Sequence, residues 1–150
     1  MLLGNYYNTL DSKNRAFIPS KLRNTLGERV KLIKGLDKCL NIFTLSEWES
    51  NVNQYMENLS FADEESRTMN RFYFGGSIEC DIDKQGRIVI PQNYLDYATL
   101  NKELAFVGCG KYIEIWDKGK FEEMMSPENL NPSELMKKAR QNSKNENDGV

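Results

Sequence analysis

Two copies of one nine-residue motif constrain this chain more than any other feature of its sequence. The first copy covers 11–19 and reads DSKNRAFIP, and the second covers 83–91 and reads DKQGRIVIP. Both copies keep aspartate first, arginine fifth and proline last. Their fourth positions hold Asn14 and Gly86, the two residue types that best tolerate a positive φ. Each copy therefore predicts a tight turn that presents an arginine between two extended segments.

A second pair of matching segments follows the motif in the same order. Residues 35–43 and 108–116 both begin with glycine at a turn and continue with alternating apolar side chains, a pattern typical of a β-hairpin. Two matched blocks indicate tandem duplication of a unit of about 50 residues, a size at which a domain buries too little apolar surface to be very stable. We therefore expect the two halves to complete each other's core.

These patterns predict an α+β chain in four segments. The segments are a β-rich first half with a helix over 1–60, a connecting helix over 61–76, a second β-rich half over 77–125, and a short helix with a disordered tail over 126–150. Ser46 and Glu49 have the spacing of a helix capping box. The second half is expected to contain a strand over 104–107 and a turn over 108–111. Almost all residues from Gln141 onward are polar, which predicts disorder there.

The composition excludes most enzyme classes. The chain has no histidine, and histidine is the commonest general base and a common metal ligand. Its cysteines are far apart and form no CxxC pair, so we expect reduced thiols in apolar segments at Cys39, Cys80 and Cys109. The sequence also lacks a nucleophile motif and a glycine-rich phosphate loop. We therefore predict no catalytic residue, no cofactor, no metal site and no enzymatic activity.

The apolar runs are only a few residues long, and the first residues form neither a basic stretch nor an apolar segment of signal-peptide length. These features predict a cytoplasmic protein without membrane contact. Aromatic residues at helix or strand spacing are expected in the core rather than stacked on bases, namely Trp48, Trp116 and Phe121. Two apolar pairs near the end of the chain are expected to dock on another subunit, namely Met124 with Met125 and Leu135 with Met136.

The charge is unevenly distributed along the chain. The net charge is −2, yet residues 11–34 carry seven basic side chains against two acidic ones. A local basic patch binds phosphate even on an acidic protein. The candidate phosphate contacts in and near the two turns are Lys13, Lys21, Arg23 and Lys84.

Arg15 and Arg87 are the leading candidates for a binding role, and two interpretations are open for both. A guanidinium group that follows a tight turn can contact the O6 and N7 atoms of guanine or clamp a phosphate. Alternatively, the aspartate of the same turn, Asp11 or Asp83, binds the arginine and holds the loop in shape. The two roles are compatible, because a braced turn also preorganises its neighbours.

The chain resembles the MraZ family, proteins with two tandem domains of the SpoVT-AbrB type. The resemblance rests on the start of the chain at 1–4, on the doubled motif and on the segment 114–117, which reads EIWD. A single motif copy would fit any AbrB-like protein, whereas two copies at this separation are specific. The first copy departs from the family pattern, since Asn14 stands where glycine is common.

The resemblance implies two AbrB-like swapped-hairpin halves related by a pseudo-twofold axis, with connecting and C-terminal helices. It also implies a homo-oligomeric ring of about eight subunits that presents the motif loops to double-stranded DNA. The DNA would be direct repeats in the promoter of the division and cell-wall gene cluster, so the protein would be a nucleoid-associated transcriptional regulator. The candidate DNA-binding residues are Lys13, Asn14, Arg15, Lys21, Arg23, Lys84, Gly86 and Arg87, with Asp11 and Asp83 bracing the turns.

Two other functions fit the same fold. One is an antitoxin-like or other protein-interaction module, although 141–150 lacks the apolar anchors that partner-binding tails use. The other is a ring scaffold that does not read DNA directly, which would show no salt-dependent DNA binding. Because residues 11–34 are basic while 81–91 is balanced in charge, we expect Arg15 to contribute more to DNA contact than Arg87.

Overall fold

The computed structural model describes residues 1–148 and the side-chain surroundings of 1–145. The chain forms two compact units, of which the first is Met1–Lys118 and the second begins at Gly119. Among the described residues, no helix is long and apolar enough to cross a membrane.

The elements of the first half recur in the second half in the same order. The first half contains β1 (Leu2–Thr9), β2 (Arg15–Phe17), α1 (Ser20–Leu26), β3 (Arg29–Lys34), β4 (Leu40–Thr44), α2 (Leu45–Met56) and α3 (Glu64–Tyr73). The remainder contains β5 (Ile78–Asp81), β6 (Arg87–Val89), α4 (Gln92–Ala98), β7 (Glu103–Gly110), β8 (Ile113–Asp117), α5 (Lys118–Met124) and α6 (Pro132–Asp148). Strands β1 to β4 thus correspond to β5 to β8, and α1 corresponds to α4.

The two halves exchange strands within one sheet. Its order is β1-β7-β8-β4-β3-β5, and every pairing is antiparallel. Each outer strand lies beside a strand of the other half, because β1 pairs with β7 and β5 pairs with β3. The order is unchanged when the halves are interchanged. The predicted α+β fold of two repeated halves is therefore confirmed, and the exchange of outer strands between them is an additional feature.

A pseudo-twofold axis passes through two places in this arrangement. Strands β2 and β6 form a separate ribbon centred on the pair Ala16 and Ile88, which are equivalent residues of the two motif copies. Strands β4 and β8 meet at the centre of the main sheet, where Asn41 pairs with its equivalent, Glu114. The core lies between the ribbon and the sheet, and its fully buried side chains include Ile18, Leu32, Leu40, Ile88, Ile90, Phe106 and Ile113.

A smaller aromatic cluster joins α2 and α3 to the sheet. Trp48 is buried and its ring centroid lies 5.8 Å from that of Phe43 and 5.3 Å from that of Tyr73. The predicted capping box at Ser46 is wrong. Thr44 is the N-cap, because it ends β4 in an extended conformation and its Oγ1 accepts the backbone N–H of Glu47 at 3.1 Å.

Two further boundaries differ from the sequence prediction. Strand β7 continues through Gly110 instead of ending before 108, because its whole length pairs with β1. The turn therefore lies between Gly110 and Ile113 rather than at 108–111. Helix α6 extends to Asp148, where the sequence predicted disorder from Gln141. Lys, Gln, Asn, Ser and Glu carry only modest helix penalties, so a polar segment can continue a helix that Pro132 starts. Residues 149–150 of the predicted tail lie outside the described part.

Candidate nucleic-acid interface

The first motif forms a turn around the carboxylate of Asp11. Its Oδ1 accepts the backbone N–H groups of Lys13 and Arg15, both at 2.9 Å, and its Oδ2 binds Nε of Arg15 at 2.7 Å. The backbone N–H of Asn14 donates to the carbonyl of Asp11 at 3.1 Å, and Asn14 has a φ of 59°. A single carboxylate thus holds both the backbone of the turn and its arginine.

The second motif repeats this geometry. Asp83 Oδ1 accepts the backbone N–H groups of Gln85 at 2.9 Å and Arg87 at 2.8 Å, and its Oδ2 binds Nε of Arg87 at 2.8 Å. Gly86 has a φ of 83° at the position of Asn14. Both arginines are therefore held by the aspartate of their own turn, and the contact through Nε leaves their Nη groups for other acceptors.

The two turns support each other across the pseudo-twofold axis. The backbone N–H of Ile18 donates to the carbonyl of Gly86 at 2.9 Å, and the backbone N–H of Ile90 donates to the carbonyl of Asn14 at 2.8 Å. The short β2–β6 ribbon lies between these bonds. Because each half fastens the turn of the other, the two arginines belong to one connected structure.

Hydrogen bonding keeps both bracing carboxylates ionised. For Asp11, desolvation raises the pKa, but the hydrogen bonds from the backbone and side chain of Arg15 and from the backbone of Lys13 outweigh it and lower the pKa below 3.8. For Asp83, the backbone N–H of Arg87 is the main cause of a lowered pKa. Both braces are therefore charged pairs at neutral pH.

Arg15 and Arg87 differ in what lies beside them. The guanidinium of Arg87 lies 5.7 Å from the ring centroid of Phe17, with which Arg87 is paired in the ribbon, and its side chain is 19% exposed. Arg15 is paired with the aliphatic Val89 and its side chain is 29% exposed. A cation–π contact thus adds to the brace of Arg87 only, and Arg15 has the more accessible guanidinium.

Arg23 reaches from α1 onto the turn of the other half. Its Nη1 donates to the carbonyl of Gln85 at 3.3 Å, and a Cβ built on Gly86 would overlap that Nη1. Its Nε is buried without a hydrogen-bond partner among the described residues. Ser20, Arg23 and Lys84 line a groove of about 470 Å³ that borders this turn. The groove therefore combines basic residues from both halves.

Sheet pairing neutralises part of the basic segment. Strand β5 places Asp81 beside Arg29, with Oδ1 2.9 Å from Nε, and Glu79 beside Lys31, with Oε1 3.3 Å from Nζ. The hydrogen bond from Asp81 raises the pKa of Arg29. Lys34 lies over the ring of Tyr94, 5.3 Å from its centroid. These three cations are therefore occupied by contacts to the second half.

The predicted phosphate contacts keep their charges unpaired. Within residues 1–145, no acidic side chain forms an ion pair with Lys13, Lys21 or Lys84. The positive charge available near the turns is thus smaller than the sequence count suggests. It is supplied by Lys13, Lys21, Arg23 and Lys84, together with the Nη groups that Arg15 keeps free of Asp11. The sequence could not show this because the acids that neutralise Arg29 and Lys31 are distant along the chain.

A groove beside the first turn contains residues that sequence reasoning did not single out. It has a volume of about 630 Å³, and its lining includes Tyr6, Tyr7, Asn8, Phe17 and Lys21. Asn8 Nδ2 donates to the carbonyl of Phe17 at 2.6 Å, which fixes β1 against the ribbon. Tyrosine and asparagine side chains that line a groove next to cations are suited to contact sugar and phosphate groups. The polar and aromatic composition of β1 was the available signal.

The remaining candidate chemical groups are buried or unreactive. Cys39 and Cys80 are buried as expected, whereas Cys109 is exposed. Burial raises the pKa of the Cys80 thiol to about 11 and raises that of Cys39 further. These thiols are protonated at neutral pH and are poor nucleophiles. Among the described residues, no group of three or more Cys, Asp or Glu side chains is arranged to hold a metal ion. Trp48, Trp116 and Phe121 are buried, as predicted.

Comparison with known proteins identifies similar sequences over most of the chain. A family model described as "MraZ protein, putative antitoxin-like" matches twice, over residues 1–72 and 73–143. A protein of Acetivibrio thermocellus named "Transcriptional regulator MraZ" is 43% identical over 138 residues, which cover 92% of this chain and 96% of the relative. The protein of the same name from Dictyoglomus thermophilum is 45% identical over 130 residues, which cover 87% of this chain and 88% of the relative.

Among solved structures, the solution structure of PHS018 from Pyrococcus horikoshii aligns with 77% of this chain and 88% of its own, at 15% identity and a TM-score of 0.32. This likeness is too slight to support an argument about fold or function.

Proposed function

The chain belongs to the MraZ family, and from this premise we propose that it is a sequence-specific DNA-binding transcriptional regulator. Relatives at 43% and 45% identity are named transcriptional regulators. The observation that carries the proposal is the pair of turns in which an aspartate binds the arginine of the same turn. Backbone hydrogen bonds of Ile18 and Ile90 connect the two turns, and lysines without an ion-pair partner among the described residues border them.

The braces explain how the turns would bind DNA. Asp11 fixes Arg15 through Nε, so little side-chain entropy is lost when the Nη groups meet a base edge or a phosphate. Guanine is the favoured base, because its O6 and N7 atoms accept two hydrogen bonds from one guanidinium. Lys13, Lys21 and Lys84 would neutralise phosphates on either side and fix the position of the protein on the duplex.

The first half would make the larger contribution. Arg15 is more exposed than Arg87, and α1 carries Lys21 and Arg23, whereas the position of Arg23 corresponds to the buried Leu95 in α4. Arg87 and Gly86 would support the second turn and contact the sugar-phosphate backbone. This division assigns base reading mainly to Arg15 and backbone contacts to the surrounding cations.

The proposal extends to assembly and target. The protein acts as a homo-oligomeric ring of about eight subunits, in which weak contacts to successive direct repeats combine by effective concentration. The repeats lie in the promoter of the division and cell-wall gene cluster. The regulator therefore works on the nucleoid, in the cytoplasm.

A titration of DNA length and salt tests the proposal. Bound fragments are first selected from a pool of genomic DNA of the source organism, and duplexes with one, two or four copies of the selected repeat are then compared in mobility-shift titrations. Affinity should rise at least tenfold from one to four repeats and fall steeply with salt. A scrambled repeat is the control. Equal affinity for selected and scrambled DNA would leave the scaffold interpretation in place.

A further inference from the structure

An apolar groove lies between α2 and α3. Leu36, Tyr55, Met56, Leu59, Met69 and Tyr73 line it. Its volume is about 90 Å³, less than the ~150 Å³ of an engineered cavity that holds benzene, so it can take a single aliphatic side chain. Two of its lining residues are largely exposed, Leu36 at 64% and Tyr55 at 53%. Exposed apolar residues around a formed groove are typical of an interaction site.

The helices that form this groove are acidic. Residues 45–73 contain six acidic side chains against two basic ones, Arg67 and Arg71. The acidic residues are Glu47, Glu49, Glu57, Asp63, Glu64 and Glu65. A partner that fits the groove therefore needs a small apolar surface flanked by positive charge.

Helix α6 has these properties. Leu135 is 51% exposed and Met136 is 55% exposed, and every residue from Glu134 to Asn145 is exposed. Residues 135–145 contain four basic side chains and no acidic one. Within residues 1–145, Lys137 is the one of these cations that forms an ion pair, at 3.7 Å from the exposed Glu134. Most of the stability of a helix in a protein comes from packing of its apolar face, so packing against a partner would stabilise α6.

We propose that α6 of one copy docks into the α2–α3 groove of a second copy, with Leu135 or Met136 entering the groove and Lys138 and Arg140, which flank this apolar side of the helix, facing the acidic residues of α2 and α3. The donor and acceptor surfaces are different, so the contact is head-to-tail and repeats from copy to copy until a ring closes. The inference rests on the ring assembly in the proposed function and names the interface that holds it together.

Two full-length variants test the interface by light scattering after gel filtration, without DNA. The helix variant is Leu135→Asp with Met136→Asp, and the groove variant is Leu36→Glu with Tyr55→Glu. All four side chains are exposed, so the fold should persist, which circular dichroism checks. The control is Gln141→Asp with Asn145→Asp, which adds the same charge on the opposite side of α6.

The wild type and the control should elute as multiples of 17.4 kDa, and both variants should fall to smaller species. A mixture of the two variants should form pairs, because one retains an intact α6 and the other an intact groove. A monomeric wild type, or variants that keep the wild-type mass, would overturn the proposal. A mixture that forms no pairs would overturn it too, since the intact helix of one variant would then not bind the intact groove of the other.

Binding to a single selected repeat, measured on the same proteins, separates this proposal from the proposed function. Because one repeat needs one subunit, its affinity should be equal in the wild type and both variants. If no protein binds DNA while the masses behave as expected, DNA regulation is wrong and the interface remains.

Discussion

Gly86 and Arg23 belong to different halves, and a Cβ atom added to Gly86 would overlap Nη1 of Arg23. Gly86 also has a φ of 83°, a region that disfavours residues with a Cβ. The equivalent position in the first half holds Asn14, and α4 has Leu95 where α1 has the arginine that contacts the other turn. Two constraints, backbone strain and contact with Arg23, thus act at Gly86 and only one at Asn14.

Replacing Gly86 separates these constraints. Gly86→Ala should lower the free energy of unfolding by about 1–2 kcal/mol, the cost of the left-handed backbone for an L-residue. Gly86→Asn should cost less, since asparagine adopts this conformation readily, yet it should still displace Arg23. Urea denaturation measures the stability of both variants. Equal losses of unfolding free energy in the two variants would mean that displacing Arg23 costs more than the left-handed backbone conformation.

Arg15 and Arg87 should differ in DNA binding. Arg15→Ala should weaken binding to the selected repeat by about 1–3 kcal/mol for each guanine contact, with little effect on a scrambled duplex. Arg87→Ala should reduce DNA affinity less than Arg15→Ala and reduce the free energy of unfolding more. It removes both the ion pair with Asp83 and a contact with Phe17 worth about 0.5–1 kcal/mol at an exposed site. Fluorescence-anisotropy titration and urea denaturation measure the two effects. An unchanged affinity for Arg15→Ala would make that residue purely structural.

The salt dependence of DNA binding should distinguish unpaired from paired cations. Lys21→Gln should reduce the slope of log K against log salt by about 0.9, the value for one phosphate contact. Arg29→Gln should leave it unchanged, because Asp81 and Glu79 already occupy that guanidinium. Titrations between low and moderate salt provide the slopes.

The complementary change releases the paired cations. Glu79→Gln with Asp81→Asn should increase the slope of the same titration, since Arg29 and Lys31 would then be available to phosphate. A decrease in the slope would show that these acids support the interface rather than neutralise it.

Acid should destabilise the turns. The pKa values of Asp11 and Asp83 lie below 3.8 in the folded chain. The unfolded chain therefore binds protons first as the pH falls, so the contribution of the braces is present above pH 3.8 and is lost as the pH falls through the folded values. Urea denaturation at pH 6, 4 and 3 measures this loss. Asp11→Asn with Asp83→Asn should be less stable at pH 6 and show a weaker acid dependence, and an unaltered acid dependence would assign it to other carboxylates.

The repeat made much of the fold predictable from the sequence. Turn positions, strand alternation and the arginine–aspartate spacing are local features of the sequence. The contact between Asp11 and Arg15, for example, joins residues only four positions apart. Strand exchange is non-local, so the pairing of β1 with β7 and the neutralisation of Arg29 by Asp81 could not be predicted. The helix cap at Thr44 was missed because β4 runs directly into α2. Arg23 likewise gains its role only from the turn of the other half.

The exchange of outer strands has a consequence for synthesis on the ribosome. Leu2 pairs with Gly110, so β1 is made long before any strand that can hydrogen-bond to it. At about 5–20 residues per second the wait is roughly 5–20 s, far longer than the microseconds in which a local hairpin forms. The nascent chain therefore carries an unpaired strand while most of the protein is translated, and neither half can finish folding before the other has left the ribosome.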